Sequence, residues 1–212
     1  MLSVRPDRRA APDDLIARLL PDQPYARRVL VESPGFAVVP SLGPLTPGHS
    51  LLCPRAHVTS CARLDRAWHD EYAAVTARVR SRLAALYAAP VHLFEHGMAS
   101  AGGRVLCSVD HAHVHLVPLP GEADLAVTHE PGWVAFDGSL TALAQLTCGR
   151  EYIMYEGPEG VARVRTAPAG GFASQHMRRV IATHLGRATR WNWREAPEPL
   201  AADAAWRRFV HA

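Results

Sequence analysis

No window of this 212-residue chain approaches 18 consecutive apolar residues, so no transmembrane helix is expected. Met1 to Asp14 is polar, proline-containing and arginine-rich, without the apolar core that a signal peptide needs. Cysteine is sparse. Cys53, Cys61, Cys107 and Cys148 are widely spaced, and no C-x-x-C occurs. That pattern argues against a disulfide framework and makes a reducing cytoplasm the expected compartment. Charge of either sign is nearly balanced, with a formal net charge of +3 carried by arginine. So small an excess does not argue for nucleic acid, and it suits an anionic small substrate equally well. No internal repeat and no low-complexity segment is visible. What is present is a chain 48% apolar and 20% charged, which reads as globular. Its length allows one sizeable domain, or one domain with a large extension.

Residues 1–20 read as an N-terminal arm, with a short helix over Asp13–Leu20 stopped by Pro21. "RRVLVES", "GFAVVPS" and "HSLLCPR" are short runs rich in Val, Leu and Phe, punctuated by Pro and Gly, and predict three strands. Residues 64–88 predict a long helix. Leu64, Trp68, Tyr72, Val75, Val79, Leu83 and Leu86 recur at threes and fours, and Pro90 closes it. "VHLFEHG" and "CSVDHAHVHLVPL" predict two further strands, with the loop "MASAGGR" between them. After Gly121 the character changes. "WVAF", "EYIMYEG" and "GVARVRTAP" predict strands. "SLTALAQL" and "SQHMRRVIATHLG" predict helices, the second with Ser174 as N-cap and Gly186 as its stop. Leu200–Phe209 predicts a last helix. The order is that of an α+β fold on an antiparallel sheet, residues 21–120, with a C-terminal α/β extension, residues 121–212, packed on the same domain.

The chain holds twelve histidines, and His111, His113 and His115 fall within one strand. Alternate strand residues share a face. Ala112, Val114 and Leu116 therefore form one face, and the three imidazoles with Val117 form the other. Histidine is not a preferred strand residue, so three on one face point to a shared site. Two chemistries fit. Alternating histidines can share a metal ion, with His57, His96 or Cys107 as a further ligand. Against this, the nearby Asp110 points to the opposite face. A row of imidazoles also suits phosphate chemistry. A neutral ring can attack phosphorus, while its neighbour binds developing negative charge or donates a proton.

The run His111-Ala112-His113-Val114-His115-Leu116-Val117 resembles the signature of the histidine triad (HIT) superfamily. "PGHSLLCPRAH", residues 47–57, resembles the upstream segment of the same family, and the likeness spans roughly residues 25–120. The resemblance implies an α+β, nucleotide-binding fold. It also implies cleavage at an α-phosphate through a covalent nucleotidyl-histidine, with no cofactor and no metal. By position, His113 would be the nucleophile, His111 would orient it, and His115 would contact the phosphate. His49 would be a fourth histidine facing the site, and Ser108 a hydrogen-bond donor to a bridging oxygen or leaving group. The substrate implied is a nucleotide conjugate or dinucleoside polyphosphate, adenine- or other purine-containing. Small members are often dimers, so a homodimer is allowed, although the extension could cover that surface instead.

The sequence departs from the family pattern in several places. Where some members carry Asp or Asn for ribose hydroxyls, this chain has Ser41, followed by Leu42. Glu95 and His96 stand where small members often have Asn, and "Glu95–His96–Gly97" is a candidate polar cluster at the substrate. Arg104 lies in a Gly-rich loop from which it could reach a phosphate. Gln175, Arg178 and Arg179 lie near the start of a predicted helix, where anions bind well, and form a candidate lid over the leaving group. Two other classes compete with the nucleotide hydrolase or transferase. One is a remover of 5′-adenylate from nucleic acid, which predicts a strong basic patch or a zinc finger. The other is a non-catalytic nucleotide-binding module, against which the presence of His113 stands.

Overall fold

The computed structural model describes residues 28–99, 111–119, 125, 128 and 130–212. The helix expected over 13–20, Arg104 and Ser108 lie outside the described residues.

Eight strands form one antiparallel sheet. They are β1 (Val31–Glu32), β2 (Phe36–Pro40), β3 (Ser50–Pro54), β4 (Val91–Gly97), β5 (Val114–Pro118), β6 (Val134–Phe136), β7 (Tyr152–Glu156) and β8 (Ala162–Thr166). Their order is β1-β2-β3-β5-β4-β7-β8-β6. The α-helices among the described residues are α1 (His69–Tyr87), α2 (Leu140–Thr147), α3 (His176–His184) and α4 (Pro199–His211). The fold is α+β on an antiparallel sheet, as the order of apolar runs predicted.

The long helix starts later than its apolar period suggests. Asp65 is extended, and its carboxylate accepts from Ala67 N at 2.9 Å. That bond caps a separate 3-10 turn over Arg66–Trp68, so the α-helix begins at His69. Tyr72, Val75, Val79 and Leu83 form its buried stripe. Ala88 ends it in the left-handed region at φ 49°, two residues before Pro90. Two other boundaries differ from the sequence reading. Of the strand expected from Cys107, residues 107–110 lie outside the described residues, and the described strand runs from Val114, so that 111–113 are not part of it. The N-cap of α3 is Gln175, at φ 54° with no side-chain capping bond, rather than Ser174. Gly186 does adopt a positive φ of 67° just past α3, the conformation glycine tolerates at a helix stop.

The sheet has two differently used faces, because successive strand side chains alternate. Phe36, Val38, Leu52, Leu93, Val114, Leu116 and Tyr152 pack with the α1 stripe and with Leu140 and Leu143 of α2. On the opposite face Phe94, Val117, Ile153 and Tyr155 pack with Met177, Ile181 and Ala182 of α3. Val39, Leu42 and Cys53 form a smaller cluster on that same face, with Trp193 against it.

The sheet runs without a break into the extension, through the register Leu93↔Glu156 to Gly97↔Tyr152. The topology also repeats. In the first half β3 leads through α1 to β4, and β4 returns as β5 beside β3. In the second half β6 leads through α2 to β7, and β7 returns as β8 beside β6. The two units meet at β4 and β7, related by an approximate twofold. No sequence repeat announces this, because the helices have 19 and 8 residues and the strand side chains differ. At the positions on β8 that share a face with Tyr155 and Ile153, the second unit has Arg163 and Arg165 in place of imidazoles.

Candidate active site

His113 immediately precedes β5, His115 is its second residue, and His49 immediately precedes β3. The pairing Leu51↔His115 places His49 on the same sheet face as the triad. Gly48 sets up this approach with a φ of +83°, a conformation that suits glycine.

One backbone amide fixes the proton positions of the group. Leu45 N donates to His49 Nδ1 at 3.0 Å. An amide can only donate, so His49 Nδ1 accepts, and in the neutral ring Nε2 carries the hydrogen. His49 Nε2 stands 2.8 Å from His115 Nδ1 and donates to it. His115 must then carry its own hydrogen on Nε2, and that nitrogen has no acceptor among the described residues. Phe94 stacks on the His115 ring, centroids 4.2 Å apart and planes 12° apart, which fixes its orientation.

His113 is fixed from a different side. Its Nδ1 lies 2.8 Å from the carbonyl oxygen of His111. A carbonyl only accepts, so Nδ1–H donates and Nε2 is left with a lone pair. His111 is anchored in turn, its Nε2 donating to Pro54 O at 2.7 Å. Its Nδ1 is 3.2 Å from Nδ1 of the exposed His57. Thus His111 orients His113 through its main chain rather than its ring.

Three of these imidazoles, His49, His113 and His115, are held neutral. Burial is the largest cause of the lowered pKa at His49, His113 and His115. His113 is brought to about 4, the His111 carbonyl bond opposing and His111, Arg178 and His96 adding to the fall. His49 and His115 lie well below the ordinary histidine value, and Arg178 contributes to both.

The other sequence candidates divide. His96 is on the triad face, one alternation beyond Phe94, and its Nε2 meets Glu151 Oε1 at 2.7 Å. Ser41 is buried beside His49, its amide donating to His49 O at 2.9 Å. Leu42 is covered by Trp193, and its carbonyl accepts from Glu198 N at 2.7 Å. Arg178 is buried. Gln175 donates to Asn192 Oδ1 at 3.3 Å. Arg179 is exposed, its guanidinium 3.3 Å over the Trp191 ring. Glu95 does not join the histidines. Its carboxylate points to the face covered by α1 and α2, fully buried, where it accepts from Cys61 N at 2.7 Å and Tyr152 OH at 2.6 Å. Adjacent strand residues cannot share a face, so the expected Glu95–His96–Gly97 cluster is split by the pleat. Sequence reading missed Leu45, Phe94 and Glu151. Phe94 was readable from alternation on β4; Glu151 and Leu45 carry no sequence signal.

Among the described residues, no group of three or more His, Cys, Asp or Glu is arranged to hold a metal ion. Nor is any helix among them long and apolar enough to cross a membrane.

On one face of the antiparallel sheet, then, His49 and His115 are buried beside the partly buried His113, and among the described residues the Nε2 lone pair of His113 and the Nε2–H of His115 have no hydrogen-bond partner. Residues 24–121 match the family model described as the HIT domain, which supports assigning that stretch to the HIT superfamily. A HIT domain supports a nucleotide-binding, hydrolase-type function in general terms. Among solved structures, the chain is similar to a hypothetical histidine triad nucleotide-binding protein from Sulfolobus tokodaii. That match has 26% identity and a TM-score of 0.41, and covers 53% of this chain and 69% of that one. It is also similar to a member of the HIT family from Bacillus subtilis, with 18% identity, a TM-score of 0.40, and 52% and 72% of the two chains covered. No curated protein matches the chain.

Proposed function

We propose that this protein cleaves a nucleotide conjugate or dinucleoside polyphosphate at its α-phosphate, through a nucleotidyl group carried on His113. The observation that carries the reading is the Nδ1–H bond of His113 to His111 O at 2.8 Å, which leaves Nε2 unprotonated. Neutrality is the second requirement, and a pKa near 4 keeps the lone pair available across the physiological range.

In the first step the Nε2 lone pair bonds to phosphorus as the bond from phosphorus to the leaving group breaks. The leaving group departs with that electron pair and takes any proton from solvent. His113 retains its Nδ1 hydrogen, so the substituted ring is cationic, and the His111 carbonyl stabilises that charge. His115 donates its Nε2 hydrogen bond to a non-bridging oxygen without giving up the proton. In the second step water bonds to phosphorus and gives up a proton to solvent, the P–N bond breaks, and the pair returns to Nε2. Another acceptor in place of water would make the reaction a transfer. The substrate carries a purine in this reading, by the family resemblance alone.

The test is a panel of nucleotide conjugates and dinucleoside polyphosphates offered to the wild type and to His113→Asn. Turnover by the wild type with none by the variant supports the reading. A variant that still turns over the same substrate overturns it.

A further inference from the structure

The chemistry above leaves one buried cation unused. Arg178 is 3% exposed and belongs to α3, whose apolar stripe packs onto Phe94 and Val117 beside the triad. Its guanidinium donates Nε to Trp191 O at 2.7 Å and Nη2 to Gly43 O at 2.7 Å. Both acceptors are neutral carbonyls. None of the ion pairs among the described residues includes Arg178, and its Nη1 makes no hydrogen bond among them. Burial brings its pKa down to about 10, with no carboxylate opposing that fall. The same charge reaches His49, His113 and His115.

An unpaired buried charge is expensive, and a fold retains one most readily where an anion will arrive. Arginine suits that task, because its planar fork matches phosphate oxygens. The two carbonyl bonds fix the fork. The segments they join are themselves tightly packed, since a Cβ on Gly43 would lie 2.6 Å from Cβ of Trp193. Arg179 is a poorer candidate, being exposed, stacked on Trp191, and bonded to Ser174 O at 2.9 Å.

We propose that Arg178, supplied by the C-terminal extension, is the phosphate-binding residue of the triad site, its free guanidinium N–H groups taking a phosphate oxygen of the bound nucleotide. This rests on the reading that the nucleotide phosphate docks at the triad, but not on a covalent step at His113. The extension is then part of the active site.

The experiment is calorimetric titration of the full chain with inorganic phosphate, adenosine 5′-monophosphate and adenosine. Wild type, Arg178→Gln and the charge control Arg187→Gln are compared. Arg178→Gln should weaken phosphate and nucleotide binding at least about tenfold, with adenosine binding and the control unchanged. The proposal is overturned if Arg178→Gln binds phosphate as the wild type does, or if the wild type binds neither phosphate nor nucleotide. It is also overturned if adenosine binding falls as far as nucleotide binding, which is the mark of a tie that only holds loops together. A measurement on the unmodified chain guards against a folding failure. Phosphate should shift the side-chain 15N resonances of Arg178, and no shift at saturation overturns the proposal. If phosphate binding depends on Arg178 but His113→Asn still turns over substrate, the covalent reading fails while this one stands.

Discussion

Replacing His49 by leucine tests the proton relay on both stability and chemistry. The imidazole is 1% exposed and serves two buried groups, the Leu45 amide at 3.0 Å and His115 Nδ1 at 2.8 Å. Leucine fills comparable space but satisfies neither. Each orphaned buried group costs about 1–3 kcal/mol, so partial relaxation leaves a loss of roughly 2–4 kcal/mol. In a chain of this length that lowers the melting temperature by roughly 5–15 °C. The chemical effect follows from the tautomer. Without the Nε2–H of His49, nothing holds the His115 hydrogen on the nitrogen that meets the phosphate. Loss of one such donor costs about 100-fold in rate. His49 acts only through His115, so the two positions should be strongly non-additive. His115→Phe alone should slow nucleotide release about as much as the double variant with His49→Leu. The assay is single-turnover kinetics on the folded fraction, beside urea unfolding of all four proteins. Rate losses that multiply would refute the relay, as would a His49→Leu protein of undiminished rate.

Stability should fall in mild acid. The folded-state pKa values of His49, His113 and His115 lie below the ordinary histidine value, so the unfolded chain binds more protons. The stabilisation is complete above about pH 6.5 and is lost as pH falls toward the folded values, by up to about 1.4 kcal/mol per pH unit for each ring. Urea unfolding between pH 8 and pH 5 measures the slope, which should shrink in His115→Phe; an unchanged slope would contradict it. Glu95→Ala should cost about 2–4 kcal/mol, because Cys61 N–H and Tyr152 O–H lose their buried acceptor. Since that carboxylate is on the other face, reaction rates of the folded fraction should not change, and a specific loss of activity would refute its placement.

Much of the site was legible because alternation and family resemblance agree. The run from His111 to Val117 is short, and its face assignment needs only a period of two. Its edge was less legible: the described strand begins at Val114, and the ring of His111, just before it, bonds to Pro54 O. Alternation also held the information that separates Glu95 from His96. The clustered reading ignored it. Arg178 could be singled out as near a helix start, but not as buried against Gly43, because that contact spans 135 positions. The twofold of the sheet was hidden for a related reason. Strand pairing constrains backbone and apolar alternation, not residue identity, so β8 can carry arginines where β5 carries histidines. In consequence both edges of β4 are occupied, by β5 and β7, and that edge offers no pairing surface to a second copy.

The most direct measurement is intact-mass spectrometry of the protein quenched during turnover of the best substrate in the panel, with peptide mapping of any adduct. The account predicts a mass increase equal to one nucleoside monophosphate less water, located on His113 and absent from His113→Asn. Turnover without an adduct on any rapid-quench timescale, or an adduct mapped to another residue, would contradict it.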